Sequence, residues 1–458
     1  MASPYQDRGS KNVVTIVIGI LALVLAWFSF KSLFQPGIAL AMIWSLYAAE
    51  QLFQVGTPVL LKYGAVINFA FVAVTALAVL NALRVGRYRG RRLPPEAWWC
   101  GGLLAFAAFS FFWSVSPGDT VRILQTSLPY IVAFVLIAPL CATDQEQLSL
   151  AVNTTVFLGA IILVGHGLSN YGSRSLVLAY VGGQDVESNP LAVATYAGYV
   201  SICALFSIYG RKFSPLIAIK AVVFVLGAFI IIKSGSRGQL AALAAVSFLW
   251  LPIIARATLK RSTILAMLGA IVIVCAALYT VDQLRNTGRW RTGQFEVATS
   301  GRLEMITGML YYWGDAGPFA WLLGLGNSSA FKIVGFYPHN VPVEVLTEEG
   351  LIGFLMYLAF SLSVLNRGGR TMFIKDLKVE SRVNLGILMA IFCFEGILTL
   401  KQGSLMGNSG WIGIGITIGW VTSRFHRTAK KNQTHRLNAS YYQQGHMQPA
   451  TVGQRTPN

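Results

Sequence analysis

The sequence predicts an all-α polytopic membrane protein, on three observations. Apolar residues make up 55% of the 458-residue chain and charged residues only 12%. Mean hydropathy is +0.59, well above that of a soluble domain. The apolar residues are also gathered into long uninterrupted segments, not the short alternating strands of a barrel, and in lipid only helices and closed barrels satisfy the backbone.

Thirteen segments have the length and composition of membrane helices: 13–30, 36–53, 65–83, 98–115, 121–141, 148–169, 190–209, 215–232, 239–255, 263–280, 351–366, 383–401 and 405–422. Lys and Arg concentrate at 84–92, 211–212, 256–261, 367–382 and 424–436, which the positive-inside rule places in the cytoplasm. Counting spans from Arg92 then puts 116–120, 170–189, 233–238, 281–350 and the Lys401 region on the other face. With Arg8 and Lys11 also cytoplasmic, one of the first three segments must not cross. The segment 36–53 follows Pro36-Gly37 and carries Glu50 and Gln51, so it is expected to be re-entrant or broken, leaving about 12 transmembrane helices. The alternative is an external N-terminus with all segments crossing.

The first apolar run follows Asp7, Arg8 and Lys11 and lacks a small-residue cleavage site, so it reads as a span and not a signal peptide. Residues 1–422 form one transmembrane domain that includes 281–350 as an external loop. Residues 423–458 are basic and then rich in Gln, Asn, Ser and Thr, and are expected to be a disordered cytoplasmic tail.

The net charge of +18 lies largely in the cytoplasmic loops and tail, where anionic lipid accounts for it, so no nucleic-acid partner is expected. The five cysteines, Cys100, Cys141, Cys203, Cys275 and Cys393, sit in or at the edges of apolar segments, which argues against disulfides and thiolate metal sites. No Walker loop or Gly-rich nucleotide fingerprint is present, which removes an ATP-driven pump. Buried mid-membrane charge is thin, with Glu395 the clearest case and Lys220 a weaker one, so an ion-driven transport pathway has little support.

The polar island at 281–350 interrupts this apolar pattern. It carries Arg285, Arg289, Arg291, Arg302, His339, Glu344, Glu348 and Glu349. Just upstream, Lys233-Ser-Gly-Ser-Arg237-Gly238 separates two apolar segments. Positive residues are normally biased away from the outer face, so Arg174, Lys233, Arg237, Arg289, Arg302 and Lys401 suggest a site for an anion at the membrane surface. Arginine suits a diphosphate because its planar fork donates two hydrogen bonds and keeps its charge. Snorkelling to lipid headgroups is the competing explanation for each cation. His339, in Tyr337-Pro338-His339-Asn340, is suited to take a proton near neutral pH. Glu344 and Glu348 are candidates to contact substrate, although Glu348-Glu349-Gly350 before a span also reads as a helix cap. Tyr311, Tyr312, Trp313, Phe319 and Trp321 suit either interfacial anchoring or sugar stacking, with anchoring the commoner use.

Gly235-Ser-Arg237-Gly, Ser300-Gly-Arg302-Leu-Glu304, Leu323-Gly-Leu-Gly326-Asn327, and Pro338-His339-Asn340 followed by Glu348-Glu349-Gly350-Leu-Ile-Gly353 occur in that order around the external loop. With Trp113-Ser-Val-Ser-Pro117 and Asn189-Pro190, this resembles the O-antigen ligase and polysaccharide polymerase superfamily, most closely over 230–355. The resemblance implies a GT-C-like, metal-independent glycosyltransferase without cofactors. It would move a glycan from undecaprenyl diphosphate to an acceptor on the periplasmic side of the bacterial inner membrane. It further implies that Arg237 and Arg302 hold the donor diphosphate and that His339 engages the acceptor. Arg174, Lys233, Arg289, Glu344, Glu348 and Lys401 complete the expected substrate-binding set. The partners implied are a lipid-linked oligosaccharide, an acceptor glycan, membrane lipids and other polysaccharide-assembly proteins. The motifs read the donor only. A lipid-linked repeat as acceptor makes a polymerase, slightly preferred here, and a lipid A core makes a ligase. A flippase or exporter of lipid-linked glycans and a structural membrane subunit are the readings from other classes.

Overall fold

The computed structural model describes residues 4–56, 60, 63–88, 92–142, 144–169, 179–181, 184–186, 189–208, 215–258, 292–374 and 377–445. The fold is that of an α-helical polytopic membrane protein. Along the chain the helices are α1 (Pro4–Ser32), α2 (Pro36–Gly56), α3 (Gly64–Arg84), α4 (Pro95–Phe109), α5 (Pro117–Tyr130) and α6 (Gln145–Ser169). The short antiparallel pair β1 (Ala179–Val181) and β2 (Gln184–Val186) comes next. Then follow α7 (Pro190–Phe206), α8 (Pro215–Lys233) and α9 (Arg237–Thr258). The polar island supplies α10 (Thr292–Asp315), α11 (Pro318–Leu323), α12 (Ala330–Ile333) and α13 (Val341–Glu348), and α14 (Gly350–Met372), α15 (Val379–Thr399) and α16 (Ser409–Gly445) close the chain. Eight of these stretches are long and apolar enough to cross a membrane, and α7 is a shorter apolar helix. The apolar segment 263–280 lies outside the described residues.

Local chemistry starts several helices where it should. Proline occupies the first turn of α4, α5, α7, α11 and α13, where its missing N–H costs nothing. Asn189 caps α7 by accepting from the N–H groups of Leu191 at 3.2 Å and Ala192 at 3.3 Å. In the stretch Pro117–Ala142, Pro129 removes a ladder hydrogen bond inside α5, and the chain continues as a π-turn over Ile131–Ile137 and a 3₁₀ stretch over Ala138–Ala142.

Inter-helix bonds distinguish the two faces of the bundle. On the face carrying Arg84–Arg92, Asn81 donates to the Leu33 carbonyl at 2.5 Å, Tyr88 to the Leu140 carbonyl at 2.6 Å, and Arg424 approaches Asp144 at 3.6 Å. On the other face, Asn340 donates to the Leu400 carbonyl at 3.1 Å and the Val115 N–H to the Leu325 carbonyl at 3.2 Å.

The segment 36–53 is not broken, which corrects one of the alternatives expected for it, although α2 is not among the eight stretches long and apolar enough to cross a membrane. The segment is part of one unbroken 21-residue helix, and Ile38, Ala39, Leu40, Ile43, Leu46, Ala48, Ala49 and Leu52 are all buried. The Gly37 N–H donates to the Gln147 side chain at 3.0 Å, at the start of α6. A Cβ on Gly165, near the end of α6, would overlap Leu52 of α2 and crowd Val17 of α1. Between Gly37 and Leu52 a helix advances about 22 Å, so α2 runs the depth of the bundle beside α6. Glu50 and Gln51 misled the reading because α2 is enclosed by protein. Gln54 donates to Glu50 at 3.1 Å, and a helix surrounded by partners need not be apolar all round.

The end of the chain also departs from expectation. Where residues 423–458 read as disordered, α16 continues to Gly445, and 446–458 lie outside the described residues. A helix already nucleated by an apolar span extends through Lys, Arg, Gln and Ala at little cost.

Candidate functional site

Helix α10 and the loop at 337–339 of the polar island, with the ends of helices beneath them, border one cavity of about 310 Å³. Its rim is formed by Asn189, Arg302, Tyr337, His339, Lys401, Gln402 and Asn408, and its floor by Trp44, Tyr47, Phe134, Tyr196, Tyr199, Glu395 and Trp411. The floor therefore draws on α2, the π-turn after α5, α7, α15 and α16, well inside the bundle.

His339 reaches the rim through a strained backbone. Its φ is +55°, in the left-handed region that side chains rarely adopt. Tyr337 packs edge-on against the imidazole at 4.5 Å between ring centres, and Phe336 stacks on Tyr337 at 4.3 Å. Asn340 then caps α13, accepting from the Val343 N–H at 3.1 Å, while its amide holds Leu400 one residue before Lys401. Burial and the positive charge of Arg302 lower the His339 pKa, so the imidazole is neutral and free to accept a proton at neutral pH.

Lys401 is held from the other side. Its ammonium donates to the Gln239 side-chain carbonyl at 3.1 Å, and the Gln239 amide donates to Gln402 at 2.9 Å. Its side chain lies across Gly238, where a Cβ would collide with it. Burial, then Arg302, pushes the Lys401 pKa down to about 8. This lysine is stabilised by an incoming anion more than a solvated one would be.

Of the expected residues, Arg302, His339 and Lys401 come together at the rim. Arg237 opens α9 immediately before Gly238, beside Lys401 but not lining the cavity, and Lys233 ends α8 on the same turn. Arg174 and Arg289 lie outside the described residues. None of Tyr311, Tyr312, Trp313, Phe319 and Trp321 lines the cavity. Tyr311 is 75% exposed, and the Trp313 and Trp321 indoles donate to backbone carbonyls of their own segment at 2.8 and 3.0 Å.

Glu344 and Glu348 do not line the cavity either, and their geometry replaces the expected contact with substrate by a structural one. The Glu348 carboxylate accepts from the Ser328 N–H at 2.6 Å and the Ala330 N–H at 2.9 Å. Glu349 accepts from Asn327 at 3.0 Å. The Gly324–Asn327 turn is clamped from both sides: the Leu325 and Gly326 N–H groups donate to the Thr347 and Glu348 carbonyls at 2.9 and 2.8 Å. Ser114 and Thr120 donate to the Asn327 carbonyl at 2.9 and 2.6 Å. Glu344 accepts from the Leu405 N–H at 2.9 Å and so anchors the turn that presents Lys401. Burial raises all three carboxyls, Glu344 to about 8, Glu349 to about 7 and Glu348 well above the usual range, with neighbouring glutamates adding to the shifts of Glu344 and Glu348.

The floor is what the motifs missed. Tyr199 donates to Glu395 at 2.6 Å. Trp411 is wedged among Phe392, Phe360 and Tyr357, with ring centres 5.1, 5.3 and 5.3 Å away. The available signal was tyrosines three apart in an apolar span, Tyr196 and Tyr199, together with the lone acid Glu395.

No protein-family model and no curated protein matches the chain.

Proposed function

We propose that the protein is a membrane glycosyltransferase that transfers a glycan from a polyprenyl diphosphate to an acceptor sugar, working at the rim cavity. The observation that carries the reading is the convergence of Arg302, Lys401 and a neutral His339 on one cavity whose floor is aromatic and hydroxylated. Together with the order of the motifs through 235–353, it favours lipid-diphosphate chemistry over a general anion site.

The acceptor hydroxyl oxygen attacks the anomeric carbon as the bond to the diphosphate oxygen breaks. The hydroxyl proton passes to His339, and the electron pair leaves with the diphosphate. Arg302 and Lys401 stabilise charge that grows in the transition state, so their effect falls on the barrier more than on ground-state binding. Arg237 joins this set from the start of α9. Attack opposite the leaving group inverts the anomeric configuration.

This reading places the cavity on the periplasmic side of a bacterial inner membrane and the basic ends at 84–92, 367–382 and 424–436 in the cytoplasm. Counting α2 as a crossing raises the expected twelve spans to thirteen and turns the Pro4 end of α1 onto the His339 face. A lipid-linked repeat as acceptor gives chain polymerisation, and a lipid A core gives ligation.

The deciding experiment incubates purified protein with undecaprenyl-diphosphate-linked repeat units, comparing wild type with His339→Ala and Arg302→Ala. Transfer by wild type that both variants lose supports the reading, and the product ladder separates polymer from single ligation. Absence of transfer by folded wild type, with lipid-linked repeat or lipid A core as acceptor, refutes it.

A further inference from the structure

Helix α2 is buried on every side but one. From Pro36 to Gln54 its residues are all buried except Tyr47, Glu50, Phe53 and Gln54. Tyr47, Glu50 and Gln54 are spaced by three and four, so they share one helix face. That face begins in the cavity, where Tyr47 is 37% exposed, lines the wall and stacks on Phe134 at 6.0 Å. It then climbs about 10 Å toward the His339 face of the bundle. Half-buried polar groups of α3 and α5 stand opposite. Asn68 donates to the Tyr130 hydroxyl at 3.3 Å, and the Tyr130 ring lies 5.5 Å from that of Tyr47. A Cβ on Gly64, the first residue of α3, would run into the Glu50 carboxylate and the Gln54 amide. Glu50 accepts from Gln54 at 3.1 Å and from the Asn68 amide, about half of what a carboxylate can take. The Tyr47 hydroxyl makes no hydrogen bond to any described residue. Ionisable groups left half open inside a helical membrane bundle face a water-filled space and not hydrocarbon.

We propose that this crevice, running along α2 between α3 and α5 into the cavity, binds the acceptor glycan and presents an uncharged sugar ring to the donor. The proposal rests on the transferase reading and deepens it by giving donor and acceptor separate ways in. Charge divides the two. Arg302 and Lys401 border the cavity at the rim, whereas none of the crevice residues is a cation, and Glu50 would repel a diphosphate or a uronate. A lipid chain would strip water from the Glu50 carboxylate, the Gln54 and Asn68 amides and the Tyr47 hydroxyl and return no hydrogen bond. A sugar instead offers hydroxyl donors to the carboxylate, in charge-assisted bonds, and an apolar ring face to Tyr47 and Tyr130. A ring held against Tyr47 stands in the cavity that His339 also lines, where the attacking hydroxyl must lose its proton.

The test uses the full chain in detergent and two probes: farnesyl diphosphate, and the oligosaccharide released by mild acid from the undecaprenyl-diphosphate-linked repeat. Calorimetry should show both binding to wild type. Glu50→Gln should weaken the oligosaccharide about tenfold, the loss of one hydrogen bond to a charged group, and Asn68→Ala about fivefold, the loss of a neutral one. Both should leave farnesyl diphosphate unchanged, and Arg302→Ala should do the opposite. In transfer assays the two crevice variants should raise KM for the acceptor with little change in kcat. The proposal is overturned if wild type does not bind the oligosaccharide, or if both folded variants bind it as wild type does. It is also overturned if they weaken farnesyl diphosphate instead, which would make the crevice a seat for the lipid. Oligosaccharide binding that the variants lose, in a wild type that transfers nothing, would sink the transferase reading alone. Transfer with an acceptor KM that neither variant moves would sink the crevice alone.

Discussion

Two groups of ionisable side chains in or beside the same polar island meet opposite fates. Glu348 and Glu349 are 2% and 1% exposed, and their carboxyls are tied to Ser328, Ala330 and Asn327 in a clamp that includes Ser114 and Thr120. Arg302, His339 and Lys401 instead border open volume, with His339 and Lys401 shifted toward their neutral forms. In the first group Glu348 satisfies two backbone N–H groups and Glu349 the Asn327 side-chain amide, which fixes a turn, while the second is left in a state that an anionic ligand would relieve. Charged residues in a motif therefore divide by whether they face other groups of the protein or open volume.

The largest expected effect separates the two groups by readout. His339→Ala or Arg302→Ala should lower transfer at least about 100-fold, the usual range for loss of a proton-transfer or charge-stabilising group, with little change in thermal stability. Glu348→Ala should do the reverse. It strands two buried N–H groups and should lower stability by about 2–5 kcal/mol, read by detergent thermal melting, before any catalytic defect is seen in the folded fraction. A His339→Ala protein that melts early but retains transfer would erase the distinction.

Glycines within and outside the clamp give the next contrast. Gly326 and Gly317 share a φ of +87°. A Cβ on Gly326 would enter the Ser114 backbone, whereas nothing lies within 4 Å of one on Gly317. Gly317→Ala should cost only the strain of a side chain at φ +87° and ψ 179°, about 1–3 kcal/mol, and Gly326→Ala should exceed it by about 2 kcal/mol or more by prising the turn from Ser114. Equal melting shifts for the two variants would show that the clamp is looser than its hydrogen bonds indicate.

Much of this architecture was legible in the sequence, for identifiable reasons. Long apolar segments marked the spans because lipid imposes their length, and Arg302, His339 and Lys401 stood out because they lie apart from the basic clusters that the positive-inside rule assigns to the cytoplasm. The continuity of α2 was hidden because Glu50 and Gln51 look costly until their protein surroundings are known. The floor was hidden because Tyr196, Tyr199 and Trp411 are unremarkable in an apolar helix, and only three-dimensional convergence on Glu395 gives them meaning. Glu348 looked like a ligand for the complementary reason, since sequence shows a carboxylate and not the N–H groups it faces.

Between the two groups stands Glu344, which belongs to the clamp by burial and to the rim through Leu405. Its folded pKa is raised from 4.5 to about 8, so between those values the folded state holds a proton that the unfolded chain has lost. Stability should therefore fall as pH rises from about 5 to 8, by an amount of the order of a few kcal/mol. Glu344→Gln, which keeps an acceptor for the Leu405 N–H, should flatten that slope in melting curves recorded across this range. An unchanged slope would assign the pH dependence to other groups.

The smallest expected effect joins the two regions most closely. Asn340 caps α13, which carries Glu344 and Glu348 in the clamp, and the same side chain holds the Leu400 carbonyl beside Lys401. Losing the cap in Asn340→Ala should cost about 1 kcal/mol of stability. If the Leu400 bond also sets the separation of His339 and Lys401, transfer should fall about tenfold or more, because small displacements of reacting groups are expensive. Asn340→Asp keeps the acceptor for Val343 but loses the donor to Leu400, so it should recover the melting temperature without recovering transfer. Recovery of both would mean that the cap alone matters and that the rim takes its geometry from elsewhere.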